Sequence, residues 1–404
     1  MKWYNEAFIK KIPKTDLHVH LDGSLRISTL IELAHEFNIT LPSYTESGLK
    51  ELVFKPSYQN LDEYLAGFSY TCAVMRNREA IERIAFELAM DSFEEGVRYI
   101  EVRFAPQLLM TADLDFDEIV KAADRGLRRA RTDINAHLDP DEPEFDYGII
   151  ICAMRYCNEN FSPFYKHFFS VHKFSSQREI IKLASLEAAK ATVHLRKETD
   201  VQVVGFDIAG SEYGNPADHH TESYQFIHEH FLHKTVHAGE AFGPESIFLA
   251  ITALHADRIG HGLFMFDESM ITNPAIVDKQ RYIEDLVNYI ADRRITIEVC
   301  LSSNLQTVPS LKNISDHSLK SMLENKLSVT FCTDNRLVSS TSVSRELQLA
   351  LDNFPITNRQ LKDILIYGFK RSFYYGSYAK KREYVRKIIN YYEKLERELL
   401  DRHS

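Results

Sequence analysis

Short runs of apolar and β-branched residues recur along the chain, separated by longer stretches with helical spacing. The runs are Thr15–His20, Val97–Pro106, Tyr147–Arg155, Val201–Gly210, Lys234–Glu240, Ala256–Gly262, Ile295–Ser302 and Leu327–Asn335. Between them, segments such as Glu79–Glu95 and Glu179–Lys197 place apolar residues three and four apart, the spacing of an amphipathic helix. Strand–helix alternation repeated eight times predicts a parallel sheet, and eight units can close into a (β/α)8 TIM barrel. An open, doubly wound sheet competes, because periodicity does not show closure. The expected architecture is α/β: one barrel domain over residues 1–404, with extra helices and an insertion around the third strand. No Gly/Ser/Pro-rich linker divides the chain. Residues 133–146 read as an acidic excursion, 156–176 as an irregular aromatic segment, and about 378–404 as a charged amphipathic helix with a solvated face.

Composition narrows the function classes. The 404 residues are 44% hydrophobic and 26% charged, ordinary for a globular protein. A net charge of −10 argues against a general nucleic-acid surface, which needs clustered positive charge. The five cysteines form no C-x-x-C pair, and their odd number suits a reducing compartment. The N-terminal residues have no apolar core of signal-peptide type. The longest apolar run, Tyr147–Met154, is far too short to span a bilayer. A cytoplasmic protein without membrane or nucleic-acid partners is expected; the oligomeric state is not legible.

Candidate chemistry sits at the ends of the predicted strands. In "KTDLHVHLDG", period-two alternation sends His18 and His20 to one face, and Asp22-Gly23 signals the turn that follows. Two imidazoles at a strand end can form half of a metal site, or be ordinary half-buried polar groups. The fifth strand ends in His237, the sixth in His261 and the eighth in Asp334. Barrel active sites are built from the C-terminal ends of several strands. Four strands each ending in a potential ligand therefore point to a metal, with zinc the first choice and iron or manganese open.

Other motifs fail. "HEHFLH" (His228–His233) has Leu232 where the H-E-x-x-H zinc helix needs histidine, and reads as a solvated helix end. His219-His220 lies in a predicted loop without a third partner. The H-x-E…P-C-x-x-C deaminase signature, the G-x-S-x-G nucleophile elbow and the phosphate loop are all missing.

"TDLHVHLDGSL", "GFDIAGSE", "TVHAGE", "DRIGHG", "EVCLSSN" and "CTDN" stand in the order and rough spacing found in the adenosine deaminase family. The resemblance runs from about Ile12 to about Ser377. It implies a zinc-dependent β/α barrel that converts adenosine or deoxyadenosine to inosine or deoxyinosine with release of ammonia, in purine salvage. By the same resemblance His18, His20, His237 and Asp334 are zinc ligands, holding one ion per chain. Glu240 is the acid that protonates purine N1, and His261 orients or deprotonates the attacking water. Gly210 offers its N–H to N3, and Asp22 faces the ribose 5′-hydroxyl. Leu61, Tyr64, Leu65 and Phe68, at i, i+3, i+4 and i+7, resemble an apolar lid helix; plain core packing would give the same pattern. Related two-metal barrels use a lysine after the fourth strand, where this chain has Ile208-Ala209-Gly210, which favours one metal.

The residue types suit the reaction. Bound zinc lowers the pKa of water to about 7. Purine C6 is a poor electrophile until N1 is protonated, so Glu240 needs a pKa raised by burial. One position departs from the common pattern: Asn335 stands where many relatives have a second aspartate, at the place expected to face purine N7. That leaves free adenine or another adenine-containing nucleoside as an alternative substrate, although Asp22 favours a nucleoside. Further alternatives are an ester or amide hydrolase on the same scaffold and a non-catalytic binding protein.

Overall fold

In a computed structural model that describes residues 4–401, the apolar runs are eight parallel strands. They are β1 (Lys14–His20), β2 (Val97–Phe104), β3 (Asp146–Met154), β4 (Val203–Ala209), β5 (His233–Ala238), β6 (Arg258–His261), β7 (Thr296–Val299) and β8 (Ser328–Phe331). Each strand pairs with the next in sequence. The circle is completed where β8 returns to β1: Val19 bridges to Asp334, Asp334 N–H donates to His18 C=O at 2.8 Å, and His20 N–H donates to Asp334 C=O at 2.7 Å. An open doubly wound sheet has no such return. The fold is a (β/α)8 barrel.

The strands are buried on both faces, as a sheet wrapped in helices requires. The outer helices carry the start signals expected of them. Asn77 caps Arg78–Glu94 through Ala80 N–H, and Ser176 with Glu179 forms a capping box at the head of Gln177–Glu198. The C-terminal helix Tyr378–Asp401 buries Tyr384, Val385 and Ile388 against Leu17, Tyr99 and Phe369, so one side of that charged segment is core.

Three local expectations change. The 156–176 segment contains a regular helix, Pro163–Val171, started by a Ser162 cap and a proline in its first turn. The acidic excursion is shorter than expected, because the helix Phe116–Asn135 runs into it. His219 and His220 lie in a single 3-10 turn (Ala217–His220), and buried His220 bonds Ser185 Oγ at 2.8 Å. The strands also stop earlier than the apolar runs suggest. Glu240 and Asp334 therefore sit on the loops that follow β5 and β8, at the C-terminal mouth of the barrel. Among the described residues no helix is long and apolar enough to cross a membrane.

Candidate active site

Strand alternation places His18 and His20 on the interior of β1, and the barrel brings His237 and Asp334 to them. One ligand atom from each of these four buried residues lies within 4.8 Å of the others. His20 Nε2 is 3.2 Å from His237 Nε2, and Asp334 Oδ1 is 3.3 Å from His18 Nε2 and 3.4 Å from His20 Nε2. Two nitrogen ligands about 2.0–2.1 Å from a tetrahedral zinc are about 3.3 Å apart, so the donor set fits such an ion.

Carboxylates behind the imidazoles turn them the right way. His18 Nδ1 is 2.9 Å from Glu298 Oε2, and His237 Nδ1 is 2.9 Å from Asp207 Oδ2. A carboxylate accepts only, so the His18 ring carries its proton on Nδ1 and aims the Nε2 lone pair at the centre, and the Asp207 carboxylate beside His237 Nδ1 favours the same tautomer there. His18 Nε2 is buried with no hydrogen-bond partner. Burial pushes His20 well below the ordinary imidazole range, which leaves it free to ligate. Burial disfavours the ionised form of Asp334, yet the hydrogen bond and charge from His18 hold its carboxyl well below the usual range. Ser303 Oγ donates to the other carboxylate oxygen, Asp334 Oδ2, at 2.6 Å.

The backbone is strained at two of these positions. Asp334 (φ 58°) and His261 (φ 67°) are non-glycine residues in the left-handed region, which costs on the order of 1–2 kcal/mol each. At Asp334 the paired backbone hydrogen bonds that close the barrel hold the strained conformation in place.

Glu240 is 6% exposed, and its Oε1 lies 3.6 Å from His261 Nε2. Burial first, and the nearby Asp334 charge second, raise its carboxyl to about 8. The loop that carries it is held from outside the strand. Glu212 accepts from the N–H groups of Gly239, Glu240, Ala241 and Phe242 at 2.7–3.1 Å, and from Ser246 Oγ at 2.5 Å. A cradle of this kind fixes the Glu240 backbone.

Above the cluster opens a cavity of about 1030 Å³. Its walls include His20, His237, Glu240, His261 and Asp334, together with Asp22, Leu61, Tyr64, Leu65, Phe68, Gly210 and Asn335; His18 lies beneath, outside the lining. Burial raises Asp22 to about 7, and its Oδ1 has no partner. Gly210 adopts φ 100°, a conformation that side chains rarely take, just past the end of β4. The segment expected to form a lid helix is two short helices on the cavity wall, Leu61–Ala66 and Phe68–Val74, meeting at Gly67. Tyr64 is more than an apolar wall: its hydroxyl accepts from Asn335 Nδ2 at 2.8 Å and bonds Ser339 Oγ at 2.8 Å. Asn335 Oδ1 is buried and unpartnered. A Cβ on Gly23 would lie 1.8 Å from that oxygen, so glycine is required there to seat Asn335.

The adenosine deaminase family model matches residues 13–391. An adenosine deaminase of Mycobacterium avium (strain 104) is 35% identical over 367 residues, covering 90% of this chain and 91% of that protein. The chain belongs to the adenosine deaminase family. Like other adenosine deaminases it is a hydrolase acting on C–N bonds that deaminates adenosine, within a family of metal-dependent amidohydrolases. Two solved structures share the fold at 19% identity. They are an adenine deaminase from Arthrobacter aurescens (TM-score 0.72, covering 95% of this chain and 99% of that one) and an amidohydrolase from Burkholderia ambifaria with bound Zn (TM-score 0.74, 98% and 94%).

The residues that hold the site rather than form it are harder to see in the sequence of this family member. Glu298 and Asp207 are acidic residues inside apolar strands, a signal that was present. Glu212 and Asn304 lie in the motifs "GFDIAGSE" and "EVCLSSN", where they had no assigned role. Nothing in the sequence pointed to His317. It is buried, 13 residues beyond Asn304, and its Nε2 is 3.2 Å from Asn304 Oδ1.

Proposed function

We propose that this enzyme deaminates adenosine and deoxyadenosine with one zinc ion per chain, held by His18, His20, His237 and Asp334. The donor chemistry of the buried cluster supports the metal, and the zinc bound in the Burkholderia relative supports its identity. When bound, such an ion lowers the pKa of a water molecule to about 7 and makes it a nucleophile at neutral pH.

The chain's own groups would act as follows. Glu240, kept protonated by burial, gives its proton to purine N1 and makes C6 electrophilic. His261 lies beside Glu240 and faces the attacking water. Gly210 offers its N–H to N3, Asp22 accepts from the 5′-hydroxyl, and Asn335 meets N7. Leu61, Tyr64, Leu65 and Phe68 form the wall over the base. A single barrel domain supplies every one of these groups, with the C-terminal helix as part of it. Five free cysteines, four of them buried, favour a reducing cytoplasmic setting.

The observation that carries the reading is the raised carboxyl of Glu240 beside a four-ligand cluster at the base of a nucleoside-sized or larger cavity. Ammonia release from adenosine, deoxyadenosine, adenine and adenosine monophosphate, with elemental analysis of the purified protein, tests it. Turnover of the nucleosides with near-stoichiometric zinc is expected. Preference for free adenine, or full activity without metal, would overturn it.

A further inference from the structure

His261 could meet the attacking water in two ways. With its proton on Nδ1, its Nε2 lone pair could take a proton from the water. With the proton on Nε2, it could only donate a hydrogen bond. The choice is made behind the ring, where a chain of hydrogen bonds runs out to a main-chain amide. Leu319 N–H donates to His317 Nδ1 at 3.0 Å, so the neutral His317 carries its own proton on Nε2. Burial holds His317 down to about 4, which keeps it neutral. That Nε2–H donates to Asn304 Oδ1 at 3.2 Å. The carboxamide is thereby oriented, with its NH2 end toward His261, and Nδ2 donates to His261 Nδ1 at 3.1 Å. A ring nitrogen that accepts a hydrogen bond has no proton. His261 Nε2, buried without a partner and facing the cluster, carries it instead.

We propose that His317, acting through Asn304, fixes the proton of His261 on Nε2, so that His261 meets the attacking water as a hydrogen-bond donor and not as a base. His317 and Asn304 are positioning residues: neither lines the cavity. The functional half of the inference rests on the deaminase reading; the tautomer does not. The arrangement works because each member has one forced choice. A main-chain N–H cannot accept, so the polarity of the whole chain is set from Leu319 inward.

Two substitutions address opposite ends of the chain. Asn304→Asp keeps shape but presents only acceptors to His261 Nδ1, which draws the proton there. His317→Leu removes the donor that orients Asn304 and frees its amide to turn. His317→Gln should rescue, because its carbonyl can accept from Leu319 N–H while its NH2 donates to Asn304. The readout is the 15N spectrum of [15N]histidine-labelled protein, in which protonated and unprotonated ring nitrogens resonate far apart; His261 is assigned by its loss in His261→Gln. Expected are an Nε2 proton in the parent and in His317→Gln, and a shift to Nδ1 in Asn304→Asp or His317→Leu. The variants in which the proton moves should lose turnover, by about a hundredfold or more, toward the roughly 10⁴-fold loss seen when a catalytic histidine is held in the wrong tautomer. An Nδ1 proton in the parent, no movement in either variant, or movement with unchanged turnover would overturn the proposal. A parent inert toward every adenine compound would sink the proposed function, while a swapped proton would still support the relay.

Discussion

Around Glu298, in the barrel interior, each carboxylate oxygen is fully partnered; around Asp334, on the other side of His18, several buried polar atoms have no hydrogen-bond partner. Glu298 Oε1 accepts from Arg258 Nε at 2.6 Å and Thr235 Oγ1 at 3.0 Å, and its Oε2 from His18 Nδ1 at 2.9 Å and Arg103 Nη2 at 3.0 Å. Asp207 and Glu101 complete the layer through Arg103 and Arg258. At the mouth, His18 Nε2, His261 Nε2, Asp22 Oδ1 and Asn335 Oδ1 are buried and unsatisfied, and two residues have left-handed backbones. A buried polar group without a partner costs about 1–3 kcal/mol. A fold tolerates several such groups together where a ligand will complete them. The lower layer holds the histidines still; the upper layer is left incomplete for chemistry.

The comparison breaks most severely if the lower layer is cut. Glu298→Ala leaves Arg103 and Arg258 without their shared partner in the interior, and we expect a loss of about 3–5 kcal/mol in urea unfolding. Metal affinity should fall as well, since His18 loses the group that fixes its tautomer. A loss under about 1 kcal/mol would mean the layer relaxes readily, and the contrast would fail.

The upper layer should respond in the opposite sense. Glu240→Gln should lower turnover by at least about a hundredfold, the range for a positioned general acid, with no loss of stability. Its pH dependence follows from the raised carboxyl, about 8 in the folded chain against an ordinary 4.5. The folded state binds that proton more tightly than the unfolded state, so the parent loses stability as pH rises from about 4.5 through 8. Glutamine has no proton to lose. The stability of Glu240→Gln relative to the parent should therefore grow over that interval, measured on chelator-stripped protein because a divalent cation favours the carboxylate. A gap that stays constant with pH would show that Glu240 is already ionised in the folded chain.

The Glu212 cradle that holds the Glu240 loop should show an intermediate effect. Glu212→Gln puts an NH2 where one carboxylate oxygen accepts from main-chain donors, and should cost about 1.5–3 kcal/mol, the scale of hydrogen bonds to a charged group. Turnover should fall with it, because the same donors fix the Glu240 loop. Full turnover in a destabilised variant would detach the cradle from catalysis.

The two layers were not equally legible in the sequence. The mouth could be read because its residues follow strands: period-two alternation paired His18 with His20, and the strand ends supplied His237, His261 and Asp334. The barrel followed from eight apolar runs, although its closure depends on backbone bonds between Asp334 and β1 that no local pattern encodes. The lower layer was hidden for another reason. Glu298, Asp207, Arg103 and Arg258 come from four strands, and their partners are set by barrel geometry rather than spacing. The helix at Pro163–Val171 is not legible despite its Ser-Pro start, because its aromatics make no clear helical stripe. The polar role of Tyr64 is invisible in the sequence because its partners, Asn335 and Ser339, lie more than 270 positions away.

That hydroxyl bears on the smallest effect expected, at Asn335. Its Nδ2 has two hydrogens, and one goes to Tyr64. The other is free to meet purine N7, an acceptor, at any pH. Replacing N7 by C–H, as in 7-deazaadenosine, should then cost about 1 kcal/mol in kcat/KM, the scale of one neutral hydrogen bond. Asn335→Ala should cost a similar amount with adenosine, plus whatever the loss of the Tyr64 contact contributes. Tyr64→Phe sets an upper bound on that second part, since it removes the hydroxyl, and with it the Ser339 Oγ bond, while leaving the amide. Two changes that delete one contact cannot each remove it, so Asn335→Ala should lose little more on the 7-deaza substrate than Tyr64→Phe does. Simple additivity of Asn335→Ala with the 7-deaza change would mean that Asn335 braces Tyr64 over the cavity and does not read N7.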